Sequence, residues 1–201
     1  MGEPAFRDKM FRGFLFANLG AAAITAILIL AKPDEPPKIQ GVLLPEAKFI
    51  DAFTLIDHND RSFTQENLQG QWHLISYGFA TCPDVCPTTL SQINTMLKEI
   101  KEDQYKNLQV LFYSVDHRRD TPSKMASYVP FFNSNFIGLT HLDDPKNPHI
   151  SFEKSLGITA QLTPRISESE ILDSNDYDVS HGVTLFLINP QGKLQAIFKP
   201  T

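Results

Sequence analysis

The chain has 201 residues, of which 42% are apolar and 20% charged, and it carries a net charge of −5. This length and apolar content suit one core-forming domain with an appendage and exclude a disordered or low-complexity chain. The acidic balance argues against nucleic acid as a partner, because phosphate binding needs a basic surface.

Residues Gly13 to Ala31 (GFLFANLGAAAITAILILA) form an uncharged run of about 19 residues. That is close to the roughly 20 residues a membrane-spanning helix needs. Arg7, Lys9 and Arg12 precede the run, whereas Lys32 and Lys38 follow it diluted by Asp34 and Glu35. The charge bias predicts a cytoplasmic segment over 1–12, a transmembrane anchor over 13–31 and an extracytoplasmic remainder. A cleaved signal peptide is the rival reading, but the run exceeds the usual h-region of roughly 7–15 residues. Its Leu30-Ala31-Lys32-Pro33 end is also a poor small-x-small cleavage site. With no cysteine near the run, a lipoprotein is excluded. A core helix fits less well, because the run is apolar all round. Residues 32–46, rich in proline and charge, read as a stiff linker, leaving 47–201 as the folded domain.

Within that domain Phe49–Leu55 alternates as a strand, Asp57–Asp60 is a turn and Arg61–Thr64 returns as a short arm. Gln65–Leu68 reads as a helical turn, and Trp72–Phe79 (WHLISYGF) as a buried central strand. Thr88–Lys101 has helical spacing through Leu90, Ile93, Leu97 and Ile100, with Pro87 suited to the first helical position. Leu108–Val115 is a second apolar strand of the parallel-sheet kind. Thr121-Pro122 opens a helix to about Phe132, Phe136–Leu142 is a third strand and Pro148–Leu156 a third helix. Gly182–Asn189, Pro190-Gln191-Gly192 and Lys193–Phe198 make a closing hairpin. This order is α/β. A central strand that ends in a cysteine pair and enters a helix matches the thioredoxin-like layout.

The chain's two cysteines lie in Thr81-Cys82-Pro83-Asp84-Val85-Cys86-Pro87. Three chemistries fit them. A structural disulfide is common outside the cytoplasm, but so short a loop removes little chain entropy. Thiol–disulfide exchange fits a cysteine at a helix N-terminus, although this spacing is one residue longer than Cys-x-x-Cys. The third is a soft-metal site: two thiolates and an imidazole suit Cu(I) or Zn, and closed structural zinc wants a fourth ligand.

Six histidines could supply the imidazole. His181 stands out, because Ser180-His181-Gly182 reads as a loop entering an apolar strand, where a rigid scaffold can present a ligand. A surface or capping role is its bland alternative. His58 reads as a solvated turn residue; His73, His141 and His149 have no neighbouring ligand pattern.

In combination these segments resemble the Sco/SenC family of copper metallochaperones. The resemblance rests on the anchor at 13–31, on Cys82-Pro-Asp-Val-Cys86-Pro-Thr-Thr-Leu90, on Ser114-Val-Asp116-His-Arg118-Arg119-Asp120-Thr121-Pro122, and on Val179-Ser180-His181 with Leu185-Phe-Leu-Ile-Asn-Pro-Gln-Gly192. It spans about Phe49 to Lys199. It implies a thioredoxin-like fold and a copper ion held by Cys82, Cys86 and His181. The implied role is a metallochaperone rather than an enzyme, assisting assembly of the dinuclear copper centre of cytochrome c oxidase subunit II. Other copper chaperones would be further partners. The alternative is a thiol–disulfide reductase using Cys82 and Cys86 on the oxidase subunit or other extracytoplasmic proteins. Because no Arg/Ser-rich transit segment precedes the anchor, a bacterial inner membrane with the domain in the periplasm is expected. The mitochondrial inner membrane, with the domain facing the intermembrane space, is the alternative.

Asp84 reads as a solvated loop carboxylate or a residue tuning the site, and Asp116 as a neighbour of the site. Arg118 and Asp120 are expected to organise their loop by an ion pair or cap, and Thr121 to cap the following helix. His117 stands where the family commonly has proline and reads as a loop residue or adventitious ligand. The family pattern also leads one to expect a C-terminal helix after the closing hairpin, where this sequence ends at Thr201. The acidic segment Thr163–Asp178 departs from the compact hairpin loop expected before His181, a difference that bears on partner recognition.

Overall fold

The two most continuous apolar runs, Trp72–Gly78 and Leu108–Ser114, pair in parallel, from Trp72 opposite Leu108 to Gly78 opposite Ser114. Both are buried over most of their length, as expected for strands covered on both faces. The computed structural model describes residues 40–141, 149–164 and 177–199. In chain order the elements are β1 (Gly41–Lys48), β2 (Thr54–Asp57), β3 (Ser62–Thr64), a 3-10 turn (Gln65–Leu68), β4 (Trp72–Gly78), α1 (Val85–Glu99), α2 (Glu102–Tyr105), β5 (Leu108–Ser114), α3 (Pro122–Phe132), β6 (Ile137–Thr140), α4 (His149–Leu156), β7 (Ala160–Pro164), β8 (Tyr177–His181), β9 (Leu185–Ile188) and β10 (Leu194–Phe198). Eight strands form one sheet in the order β1-β10-β9-β4-β5-β6-β2-β3, while β7 and β8 pair separately.

Alternation along the central strands divides the core between the two faces. On one face Leu74, Val110 and Phe112 pack under α1 and α3 with Leu90, Ile93, Leu97, Met125 and Val129. The buried stripe of α1 runs Cys86, Thr89, Leu90, Ile93, Leu97, the spacing of an amphipathic helix, so core packing itself turns Cys86 inward. On the other face Ile75, Tyr77, Leu111 and Tyr113 pack with Phe53, Leu55, Phe186 and α4's Phe152 and Leu156. The fold is the thioredoxin-like α/β arrangement expected from the element order.

Several expectations need correction. The linker expected over 32–46 overlaps β1, which pairs antiparallel with β10 from Gly41–Phe198 to Lys48–Leu194. This strand lies at the sheet edge and is mostly exposed, so it has no alternation to read, and an edge tolerates Pro45. The strand expected over Phe49–Leu55 begins only at Thr54. Before it, the Asp51 amide goes to Ser155 Oγ at 3.0 Å and the Phe53 amide to Gln65 Oε1 at 3.2 Å, so these donors are spent outside a ladder. His58, expected to be solvated, accepts the Gly138 amide on Nδ1 at 2.9 Å and ties the turn to β6. Neither α2 nor the β7–β8 pair was expected. Among the described residues no helix is long and apolar enough to cross a membrane. The expected anchor at 13–31 lies outside the described residues.

His73, on β4, is 1% exposed. Burial lowers its pKa from 6.5 to about 4, offset in part by a backbone hydrogen bond at Gln71. Between those values the unfolded chain holds one more proton than the folded chain, so stability falls as pH drops from 6.5 and levels off below 4. The loss is on the order of 3 kcal/mol at about 1.4 kcal/mol per pH unit. Urea unfolding across this range should show that slope in the wild type and a flatter one in His73→Gln. An unchanged slope in the variant would assign the pH dependence elsewhere.

Candidate metal centre

The site is built where β4 ends and α1 begins. The loop after Gly78 turns on itself, with the Cys82 amide donating to the Phe79 carbonyl at 3.2 Å. α1 starts at Val85, so Cys86 lies in its first turn and Pro87 is its third residue, not its first. Proline is tolerated there because the first amides of a helix lack intrahelical acceptors. Cys86 is 3% exposed, while Cys82 is half-buried, and both are free thiols. The Cys86 amide approaches Cys82 Sγ at 3.5 Å, so the positive end of the helix faces this sulfur.

His181 reaches the same point from 95 residues away, with Nε2 at 3.6 Å from Cys86 Sγ. The ligand atoms of Cys82, Cys86 and His181 all lie within 4.8 Å of one another. His181 Nδ1 lies 2.7 Å from the Gly182 carbonyl oxygen. A carbonyl only accepts, so Nδ1 carries the proton and Nε2 offers its lone pair toward the sulfurs. The ring is held between Tyr77 and Phe79, each with its centroid 5.6 Å away. His181 ends β8 in the separate two-stranded sheet; it does not lead directly into an apolar strand as expected, since β9 starts only at Leu185.

Two glycines make this convergence possible. A β-carbon on Gly78 would lie 2.4 Å from Cys86 Sγ and 3.4 Å from His181 Cε1. One on Gly182 would lie 2.7 Å from the Tyr77 hydroxyl.

The thiols differ electrostatically. For Cys82, partial burial pushes the pKa up, but the Cys86, Asp84 and Val85 amides outweigh it and the net shift is downward. Burial pushes Cys86 up to about 12; the Cys82 and Asp120 charges act in the same direction, and the Phe79 backbone offsets part of it. The arrangement therefore provides an accessible thiol whose ionisation is favoured, a buried thiol whose ionisation is opposed, and an imidazole whose Nε2 faces the sulfurs. Replacing the second thiol's proton with a soft cation satisfies all three donors.

The remaining candidates take other places. Asp84 is exposed, and its carboxylate accepts the Thr88 hydroxyl at 3.3 Å. Asp116 is fully buried and bonded to Arg119 Nε at 2.5 Å. Arg118 and Asp120 were expected to organise this loop by an ion pair or cap; Arg119 pairs with Asp116, and Lys124 Nζ lies 3.2 Å from Asp120. Asp120 does organise the loop, accepting the Ala80 amide and Ser114 hydroxyl on Oδ2 at 2.7 Å each. Thr121 caps α3 by accepting the Lys124 amide at 3.4 Å. His117 lies against His141 with ring centroids 3.9 Å apart and planes tilted by 33°, and it is not one of the three grouped residues. Tyr77, Gly78, Phe79 and Gly182 were missed, although the small residue at the end of the strand before the cysteine motif was a readable signal for Gly78.

A family model described as SCO1/SenC matches residues 43–201. The chain belongs to the SCO1/SenC family. A Stutzerimonas stutzeri protein described as copper-binding is 34% identical over 155 residues, covering 77% of this chain and 71% of that protein. Mitochondrial SCO2 of Saccharomyces cerevisiae is 34% identical over 141 residues, covering 70% of this chain but 44% of the yeast protein. Among solved structures, copper-bound ScoI of Arabidopsis thaliana superposes with a TM-score of 0.63 at 29% identity, covering 75% of this chain and 88% of that one. Copper-bound yeast Sco1 gives 0.64 at 27% identity, covering 76% and 80%.

Two outcomes follow for this family member. Limiting iodoacetamide near neutral pH should label Cys82 well before Cys86 in the reduced chain, as read by peptide mass spectrometry; equal labelling would refute the asymmetry. Gly78→Ala should destabilise the fold by about 1–3 kcal/mol through overpacking. In a Cys86→Ala background, which removes the clashing sulfur, most of that loss should vanish, and a full-sized loss there would show that the clash lies elsewhere.

Proposed function

We propose that this SCO1/SenC protein is a copper chaperone that carries Cu(I) on Cys82, Cys86 and His181. The observation that carries the reading is the convergence of two sulfurs and a lone-pair nitrogen within 4.8 Å. Two thiolates and an imidazole fit a three-coordinate Cu(I) ion without a fourth ligand. The copper named in relatives at comparable identity supports the same choice of ion.

Copper here is cargo, and differences in access among the three ligands suit its release. Cys82 and His181 are half-buried, whereas Cys86 is buried. An acceptor thiolate approaches from the Cys82 and His181 side, and ligands exchange one at a time, with Cys86 the last to let go. The acceptor implied by the family resemblance is subunit II of cytochrome c oxidase, whose dinuclear copper centre needs this metal. We place the domain outside the cytoplasm on an anchor over 13–31, in the bacterial inner membrane or its mitochondrial counterpart. Such an anchor would keep donor and acceptor at one membrane surface and raise their effective concentration.

The unequal thiols favour one second reading, a thiol–disulfide reductase. The Cys82 thiolate attacks a target disulfide and forms a mixed disulfide, releasing one target thiolate. The Cys86 thiol then loses its proton and attacks Cys82 Sγ, releasing the second target thiolate. Two electrons pass to the target and the Cys82–Cys86 disulfide remains.

Cu(I) binding by the reduced full chain separates the two. We expect one tightly bound Cu(I) per chain, weakened at least tenfold in each of Cys82→Ser, Cys86→Ser and His181→Ala. Weak binding that is indifferent to His181, alongside disulfide reduction that needs both cysteines, would replace the chaperone with the reductase.

A further inference from the structure

The third ligand stands on a strand outside the main sheet. β8 pairs with β7 from Tyr177–Pro164 to His181–Ala160, and the ladder of the eight-stranded sheet does not include either strand. Side-chain contacts therefore help to set the imidazole's position relative to the cysteines.

Tyr177, the first residue of β8, is 5% exposed. Its hydroxyl donates to Asp116 Oδ1. Arg119 Nη1 donates to the Tyr177 carbonyl at 3.1 Å, and the guanidinium lies 4.1 Å from the centre of the Tyr177 ring. Arg119 Nε closes the triangle on Asp116 Oδ2 at 2.5 Å. Asp116 is fully buried, and its own amide donates to Ser114 Oγ at 3.1 Å. A buried carboxylate held by a guanidinium on one oxygen and a phenol on the other, on a backbone itself tied to Ser114, has one position.

The other end of the same short loop holds the cysteine side. Asp120, also fully buried, takes the Ala80 amide and the Ser114 hydroxyl, and Lys124 Nζ lies 3.2 Å from its second oxygen. Ala80 is two residues before Cys82. Ser114 links the Asp120 carboxylate to the Asp116 backbone, donating its hydroxyl to the first and accepting the amide of the second. One loop, Ser114 to Asp120, is thus bonded to both the strand that carries His181 and the turn that carries Cys82.

We infer that this loop is the bracket that sets the third ligand: through Tyr177 it fixes β8, and with it the His181 imidazole, against the cysteine pair. The inference rests on the proposed Cu(I) site. Tyr177 and Arg119 act as positioning residues, about 13 Å from the imidazole along the strand at about 3.3 Å per residue. They touch no reacting atom. They narrow the range of positions His181 samples before metal arrives, which is how a supporting shell raises affinity.

A double-mutant cycle tests this on the reduced full chain, with Cu(I) affinity read by competition against a chromophoric Cu(I) chelator. Tyr177→Phe keeps the ring and removes the hydroxyl; it should weaken Cu(I) binding about tenfold, within the range seen for outer-shell partners. In a His181→Ala background the same substitution should change nothing, because its effect passes through His181. Arg119→Lys, which keeps the charge but loses the planar fork and stacking, should follow the same pattern. It serves as the second arm if Tyr177→Phe does not fold. Wild-type affinity in a folded Tyr177→Phe or Arg119→Lys protein would overturn the bracket while leaving the Cu(I) site intact. So would losses of equal size with and without His181, which mark a general structural role. If His181→Ala itself binds Cu(I) as the wild type does, the ligand set fails, and the bracket fails with it for a distinguishable reason.

Discussion

Gly78 has no β-carbon where one would lie 2.4 Å from the Cys86 sulfur, and the rest of the site depends on that close approach. The central parallel strand delivers Gly78 to the edge of the core. The helical stripe of α1 turns Cys86 inward against it. The sulfur then occupies the space a side chain would take, within 3.6 Å of His181 Nε2. Any residue with a side chain at the end of β4 pushes these groups apart, so the chemistry of the site is first a matter of packing.

Burial and the helix end then divide labour between the cysteines. Both belong to one short motif, yet one faces the amides of the first helical turn and the other faces the apolar layer under α1 and α3. The amides favour the Cys82 thiolate; the apolar layer favours the protonated Cys86 thiol, pushed up to about 12. A soft cation can take the place of the second proton, and a target disulfide can draw on the first thiolate. The same asymmetry therefore supports metal carriage and thiol exchange. The third donor is what weights the balance toward metal. His181 has its tautomer assigned by the Gly182 carbonyl and its ring walled by Tyr77 and Phe79, an investment in orientation that thiol exchange alone does not require.

Much of the core was legible because its periodicity is local. Continuous apolar runs marked β4 and β5, and the spacing Leu90, Ile93, Leu97 marked α1, since both patterns repeat within a few residues. The edge strand β1 was not legible: it is mostly exposed and contains Pro45, so nothing in its own residues distinguishes it from a linker. The β7–β8 pair escaped for a similar reason, being mostly exposed along β7 and flanked by an acidic stretch. The organising role of Asp120 in the loop was legible, whereas the Arg119–Asp116 pair was not, because neighbours in a loop have no period that says which one turns inward.

Sequence alone determined the α/β order and the cysteine pair at a strand–helix junction, and its motifs carried the resemblance to the family and singled out His181 as the candidate histidine. These are local or pattern-borne properties, carried by a few residues at fixed separations. Only the tertiary structure decided that Cys86 is buried and Cys82 accessible, that the imidazole presents Nε2 to the sulfurs, and that Asp116, Arg119 and Asp120 join the two halves of the site. Each of those depends on groups from 40 to 95 residues apart meeting at one point, and distances of that kind are set by packing and burial, which no stretch of chain specifies by itself.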